Sequence, residues 1–130
     1  MFRGKENVIL TGVKDNLAPY YQAMDIYVLP SIVETTSLTT MEAMSCSVAV
    51  IATPVGFIRE YIEDGINGLI FPKKNSYTLY TKIKYLIDNP KDRENMGKKA
   101  RETIVENYTW DKTSAGIKQI LESLMPINNR

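Results

Sequence analysis

The stretch PSIVETTSLTTMEAMSCSVAVIATPVG, Pro30 to Gly56, carries two carboxylates, Glu34 and Glu42, with seven residues between them in a run rich in Thr and Ser. DIYVLP (Asp25 to Pro30) leads into it, and VAVIATP (Val48 to Pro54) closes it. Both runs are continuously apolar rather than alternating, as expected of strands covered on both faces of a parallel sheet. Between them SLTTMEAMSC has helical spacing, with Leu38, Met41, Met44 and Ser45 on one face. Strand, helix and strand in that order are the unit of a doubly wound α/β fold.

Such a sheet binds ligands beyond the carboxyl ends of its strands. A helix starting near Ser37 puts Glu34 in the loop at that edge, and its free N–H groups suit an anion such as a phosphate. At about 100° per residue, Glu42 lies about 40° from Leu38, on the flank of the buried face. A carboxylate there is either a cost or a tool. Thr39-Thr40-Met41-Glu42 also matches a capping box with Thr39 as N-cap, and Glu34 also reads as a solvated loop acid. Spacing alone leaves both readings open.

Two more apolar runs extend the pattern outward: NVILTG (Asn7 to Gly12) and NGLIFP (Asn67 to Pro72). NLAPYYQAM, SLTTMEAMSC and FIREYIEDG join the four runs as helical segments. Three loops, TGVKDN, PSIVETTS and TPVGF, then leave the carboxyl edge, and a second helix starting near Phe57 faces it. From Ser76 the chain reads as helical. Leu79, Ile83, Leu86 and Ile87 form one stripe, Ser76 is the expected N-cap, and Asn89-Pro90 and Tyr108-Thr109 are the expected breaks. The tail PINNR is expected to fray.

The 130 residues fit one domain, and 44% hydrophobic content is enough for a core. Sixteen Lys+Arg against fifteen Asp+Glu give a net charge of +1, with no basic patch for nucleic acid. One Cys, Cys46, and no His exclude a disulfide framework and any His-dependent triad within the chain. No apolar run approaches the roughly 20 residues that span a bilayer, and MFRGKEN is too polar for a secretory signal, so a cytoplasmic protein is expected.

The ordered set Pro30-Ser31, Glu34, Glu42-Ala43-Met44, Ile51-Ala52-Thr53, Gly56 and Glu60 resembles the C-terminal, nucleotide-sugar-binding domain of the group 1 retaining glycosyltransferases, which have the GT-B fold. Asp64-Gly65, Asn67-Gly68-Leu69, Met96-Gly97, Ala100-Arg101 and Thr109-Trp110 add to it, over roughly Asn7 to Leu124. The resemblance implies a Rossmann-like parallel sheet with helices on both faces, one half of a GT-B fold, ending in a helical segment. It implies a nucleoside-diphosphate sugar as donor. The catalytic role at the donor sugar and leaving diphosphate maps to Glu34. The ribose hydroxyls map to Glu42, and the diphosphate maps to the backbone amides of Thr36, Ser37 and Leu38. It implies no divalent metal, and no cofactor is expected.

Three departures stand out. Thr35-Thr36-Ser37 replaces a Gly-rich turn, Gly56-Phe57 stands where a Gly pair is common, and Ser47-Val48-Ala49 stands where Gly-Pro is common; a non-Gly residue at the helix C′ position costs about 1 kcal/mol. Residues 1–130 read as a single partial domain, the donor half, lacking the acceptor-binding N-terminal domain and the opening strands of its own sheet. Alone it is not expected to transfer a hexosyl group. A missing N-terminal domain or partner chain is implied, and self-association through a bare sheet edge is expected. The alternative is a non-catalytic docking module or subunit that pairs with a separate chain. An unrelated flavodoxin-like regulator lacks its expected acid cluster. Among other residues, Trp110 reads as a packing anchor, Tyr20, Tyr21 and Tyr27 as core or half-buried, Cys46 as a small buried hydrophobe, Lys73-Lys74 as a solvated turn, and Glu60 as structural rather than donor-binding.

Overall fold

A computed structural model describes residues 6–124. The PINNR tail and the first five residues lie outside that range. The elements run α1 (Ala18–Gln22), β1 (Ile26–Leu29), α2 (Leu38–Ser45), β2 (Ala49–Ala52), α3 (Ile58–Tyr61), β3 (Leu69–Ile70), α4 (Ser76–Asp88), α5 (Pro90–Asn107) and α6 (Trp110–Leu124). The three strands form one parallel sheet in the order β1-β2-β3, with Ile26 opposite Ala49 and Ile51 opposite Leu69. Three of the four apolar runs form the strands of the expected α/β sheet, and the arrangement is Rossmann-like, as the resemblance implies.

Every residue of β2 is buried, and its alternate side chains enter different cores. Val50 and Ala52 pack with Ala43, Met44, Ile58, Tyr61 and Ile104. Ala49 and Ile51 pack with Leu69, Phe71, Leu86 and Met96. A period of two with both faces covered is why the run is apolar throughout. Each fully buried Met44, Ile51, Ile58 or Leu86 contributes about 1.5–3 kcal/mol of hydrophobic stabilisation.

Several expectations need correction. Asn7 to Gly12 forms no strand: Ile9 is 85% and Leu10 70% exposed. Apolar content signals a strand, but a strand exists only where a neighbour supplies its hydrogen bonds. The inward stripe of α2 is Thr40, Ala43 and Met44, while Leu38 is exposed. Ser37, not Thr39, caps α2, so the Thr39/Glu42 capping box does not form. Asn75, not Ser76, caps α4 by accepting from the Thr78 N–H at 2.9 Å. Ile87 and Tyr20 are exposed. So is Trp110, at 80%, and α6 buries none of its residues, so Trp110 anchors no packing among the described residues.

Two close approaches clamp α2 from behind. Its C-terminus has the double hydrogen bond of a Schellman turn, Ser47 N–H to Met44 O at 3.0 Å and Val48 N–H to Ala43 O at 3.1 Å. Ser47 takes a φ of 62° there. Gly97 of α5 lies against this turn, where an added Cβ would stand 2.1 Å from the Ser47 carbonyl oxygen. The Arg101 guanidinium then donates to the Ser45 carbonyl. The Met96-Gly97 and Ala100-Arg101 pairs are therefore a helix clamp.

Candidate functional site

The loop from Pro30 to Ser37 leaves the carboxyl end of β1 and is held by the loop that leaves β2. Thr53, fully buried, donates its hydroxyl to the Ser31 carbonyl at 2.6 Å. Gly56 has a φ of 54° and lies so close to the Glu34–Thr35 backbone that a Cβ would stand 2.0 Å from the Thr35 oxygen. The next N–H, Phe57, donates to that same oxygen at 2.8 Å. Glu34 is thus fixed through its backbone. Its half-buried carboxylate accepts from the Thr35 N–H at 3.2 Å and lines a cleft of about 280 Å³ with Val33, Pro54, Gly56 and Lys73. Loops from all three strands meet there. Lys73 is exposed as expected of a solvated turn, but it shares this wall with Glu34, which no local pattern announces.

The next residues form the first turn of α2. Ser37 is buried, and its hydroxyl is used internally. It accepts from the Thr40 N–H at 3.3 Å and the Thr40 hydroxyl at 2.9 Å. It also lies 3.0 Å from the Thr39 hydroxyl, itself 2.8 Å from the Tyr27 hydroxyl. The N–H groups of Thr36, Ser37 and Leu38 find no protein acceptor among the described residues, and Thr36 and Leu38 are exposed. These are the orphan donors of a helix start, and they suit an anion. Beneath them, buried Tyr61 reaches the Ser37 carbonyl at 3.5 Å. Burial first, opposed by that hydrogen bond and reinforced by the charge of Glu34, pushes its phenol up to about 12.

Glu42 sits one turn further on and is exposed. It lines a second cleft, about 300 Å³, with Asp15, Asn16, Leu17, Tyr21 and Cys46. The Tyr21 hydroxyl donates to Glu42 Oε2 at 3.0 Å. Tyr21 is buried; burial first, then this hydrogen bond, hold its phenol well above the ordinary tyrosine value. Glu34 and Glu42 therefore line separate clefts, with the free N–H groups on the helix turn between them in the chain. Cys46 is half-buried against the core.

Other residues singled out in the sequence do structural work elsewhere. Glu60 is exposed on α3, and its carbonyl accepts from the Tyr108 hydroxyl at 2.9 Å. It lines a cleft of about 520 Å³ with Arg59, Asn67 and Tyr108, away from Glu34 and Glu42. Buried Asn67 ties three segments: its amide donates to Tyr61 O and Thr103 Oγ1, and its oxygen accepts from the Glu63 N–H. Asp64 accepts from the Ile70 N–H at 2.8 Å and so anchors β3. Among the described residues no three Asp, Glu, Cys or His side chains gather as metal ligands, and no helix is long and apolar enough to cross a membrane.

The family model described as "Glycosyl transferases group 1" matches residues 2–103. The chain is 34% identical over 110 residues to an uncharacterized glycosyltransferase of Methanocaldococcus jannaschii, covering 85% of the chain and 31% of that relative. It is similar in structure to sucrose-phosphate synthase from Thermosynechococcus elongatus, with a TM-score of 0.80 and 30% identity, covering 83% of this chain and 27% of that one. It has the fold of part of HepE from Anabaena, solved in complex with UDP-glucose, with a TM-score of 0.77 and 24% identity, covering 81% of this chain and 29% of that one. The chain thus spans about a third of the length of the curated relative.

Proposed function

Because the chain belongs to the group 1 glycosyltransferases, we propose that it is the donor-binding half of such an enzyme and takes a nucleoside-diphosphate sugar. The observation that carries this reading is the row of three unsatisfied N–H groups at Thr36, Ser37 and Leu38, with an acid-bearing cleft on either side. The diphosphate is assigned to those N–H groups, where the helix N-terminus also stabilises the charge that grows on the leaving group. Glu34 is assigned to the donor sugar. Glu42 is assigned to the ribose, since a carboxylate accepts from two adjacent hydroxyls. HepE, with the same fold, binds UDP-glucose, which favours a nucleotide sugar here. Thr36 and Ser37 replace a Gly-rich turn without hindering this assignment, because the Ser37 hydroxyl turns inward and the N–H groups stay free.

Transfer with retention of configuration would require an acceptor-binding half from the rest of a longer protein or from a second chain. The exposed residues of α6, Trp110, Ile117, Ile120, Leu121 and Leu124, favour such a covering partner. They are also what a non-catalytic docking subunit would present, and that is the second reading. Among the described residues nothing pairs with the outer edge of β1, a route to self-association that sedimentation at rising concentration would reveal.

Calorimetric titration with UDP, GDP and ADP and their sugar conjugates tests the donor site. One nucleotide is expected to bind and to weaken about tenfold or more in Glu42→Ala, the loss of charge-assisted hydrogen bonds. No binding at millimolar ligand would leave the docking reading.

A further inference from the structure

We propose that Tyr21 is a positioning residue for the Glu42 cleft, holding that carboxylate at the cleft wall through its phenolic hydroxyl. This deepens the donor-site reading and rests on it. Glu42 lies on an exposed helix face, where a free glutamate samples many rotamers and loses that freedom when a ligand fixes it. Tyr21 removes part of that cost beforehand. The residue is only 5% exposed, and its ring stands edge-on to Tyr27, with centroids 6.0 Å apart at 72°. The core therefore immobilises the ring, and the hydroxyl delivers that rigidity to Glu42 Oε2 at 3.0 Å.

The arrangement leaves the carboxylate available. Among the described residues no cation stands within salt-bridge reach of Glu42, and Oε1 receives no protein donor. A carboxylate has about four acceptor positions, so one hydrogen bond from Tyr21 leaves room for two ligand hydroxyls. Tyr21 belongs to α1, and the Asp15–Ala18 segment just before it forms the other wall of the same cleft. The bond therefore joins the two walls and sets the cleft width where a ribose would enter.

The test is calorimetry on the full chain with UDP, GDP and ADP, followed by the 2′,3′-dideoxy form of whichever binds. Wild type, Tyr21→Phe, Glu42→Ala and the double variant are compared. Tyr21→Phe keeps the ring and is expected to weaken the ribonucleotide about fivefold to twentyfold, part or most of the rotamer freedom a glutamate loses when it is fixed. It is expected to leave the dideoxy nucleotide unchanged and to add nothing in the Glu42→Ala background. Equal loss on both nucleotides, or no loss, overturns the positioning role while leaving the donor site standing. Wild type that binds none of the three overturns the donor-site reading and this role with it. The contact is also read without ligand, by the NMR shift of the ring-labelled Tyr21 Cζ at neutral pH. That shift is expected to move in Glu42→Ala, and an unchanged shift overturns the proposal even if Tyr21→Phe fails to fold.

Discussion

At Gly56 the backbone has a φ of 54° and touches the carbonyl groups of Glu34 and Thr35. A side chain there meets both a left-handed backbone penalty and a collision with peptide groups that cannot swing away. Gly56→Ala is expected to cost about 2–4 kcal/mol in urea unfolding, within the range for strain combined with overpacking, and to abolish nucleotide binding because the Glu34 loop shifts. Ser47 is the opposite case. It has a φ of 62° with the Schellman hydrogen bonds intact, all of them made by the backbone, so a glycine would keep them without the left-handed strain. Ser47→Gly is expected to raise the unfolding free energy by about 0.5–1 kcal/mol with the urea slope unchanged, and to leave ligand binding unaltered. The residue types at both positions were visible in the sequence. The reason for the glycine at 56 was not, because it lies in a contact with residues some twenty positions earlier in the chain.

At the scale of elements, α2 joins core and site. Its inner stripe, Thr40, Ala43 and Met44, is sealed into the core, its last turn is clamped by Gly97 and Arg101, and its first turn is left open. A helix held from behind in this way keeps its N–H groups aimed without spending them. Ser37 supports that first turn from the inside through Thr40. Ser37→Ala removes the cap and is expected to cost about 1 kcal/mol of stability, seen as a lower thermal midpoint, with weaker nucleotide binding as the turn frays. The Thr39/Glu42 capping box was a fair reading of the local pattern. It fails because Ser37 is buried and Thr39 is drawn to Tyr27, and neither fact is local in sequence. The longer helices were legible because their apolar spacing and breakers are local properties, whereas FIREYIEDG yields only the four residues of α3. Asn7 to Gly12 has the residues of a strand without forming one because strand formation is a property of pairs.

Across the whole molecule, two tyrosines tie one core to the candidate site. Tyr61 is buried under the Glu34 loop with its phenol pushed up from 10.0 to about 12. The folded state therefore keeps a proton that the unfolded chain releases near pH 10, so the native chain binds more protons and stability falls as pH rises. The Tyr61 contribution is fully present below pH 10 and is lost progressively as the pH passes through about 12. Tyr21, raised in the same direction, extends the loss to higher pH. Urea midpoints are expected to hold level up to about pH 9.5 and then fall, with a shallower fall in Tyr61→Phe.

The sequence by itself determined that this is an α/β chain with continuous apolar strands, which acids and which turn are the candidates for donor chemistry, and which family it resembles. These depend on residue type, spacing and order. Tertiary structure alone decided that Glu34 and Glu42 line separate clefts, that the Ser37 hydroxyl faces inward while three N–H groups stay free, and that Tyr21 holds Glu42. It also decided that Trp110 and the apolar residues of α6 stay uncovered. The physical reason is the same in each case. Hydrogen-bond partners and burial are set by segments distant in the chain, and a side chain's role is fixed by what those segments leave unsatisfied.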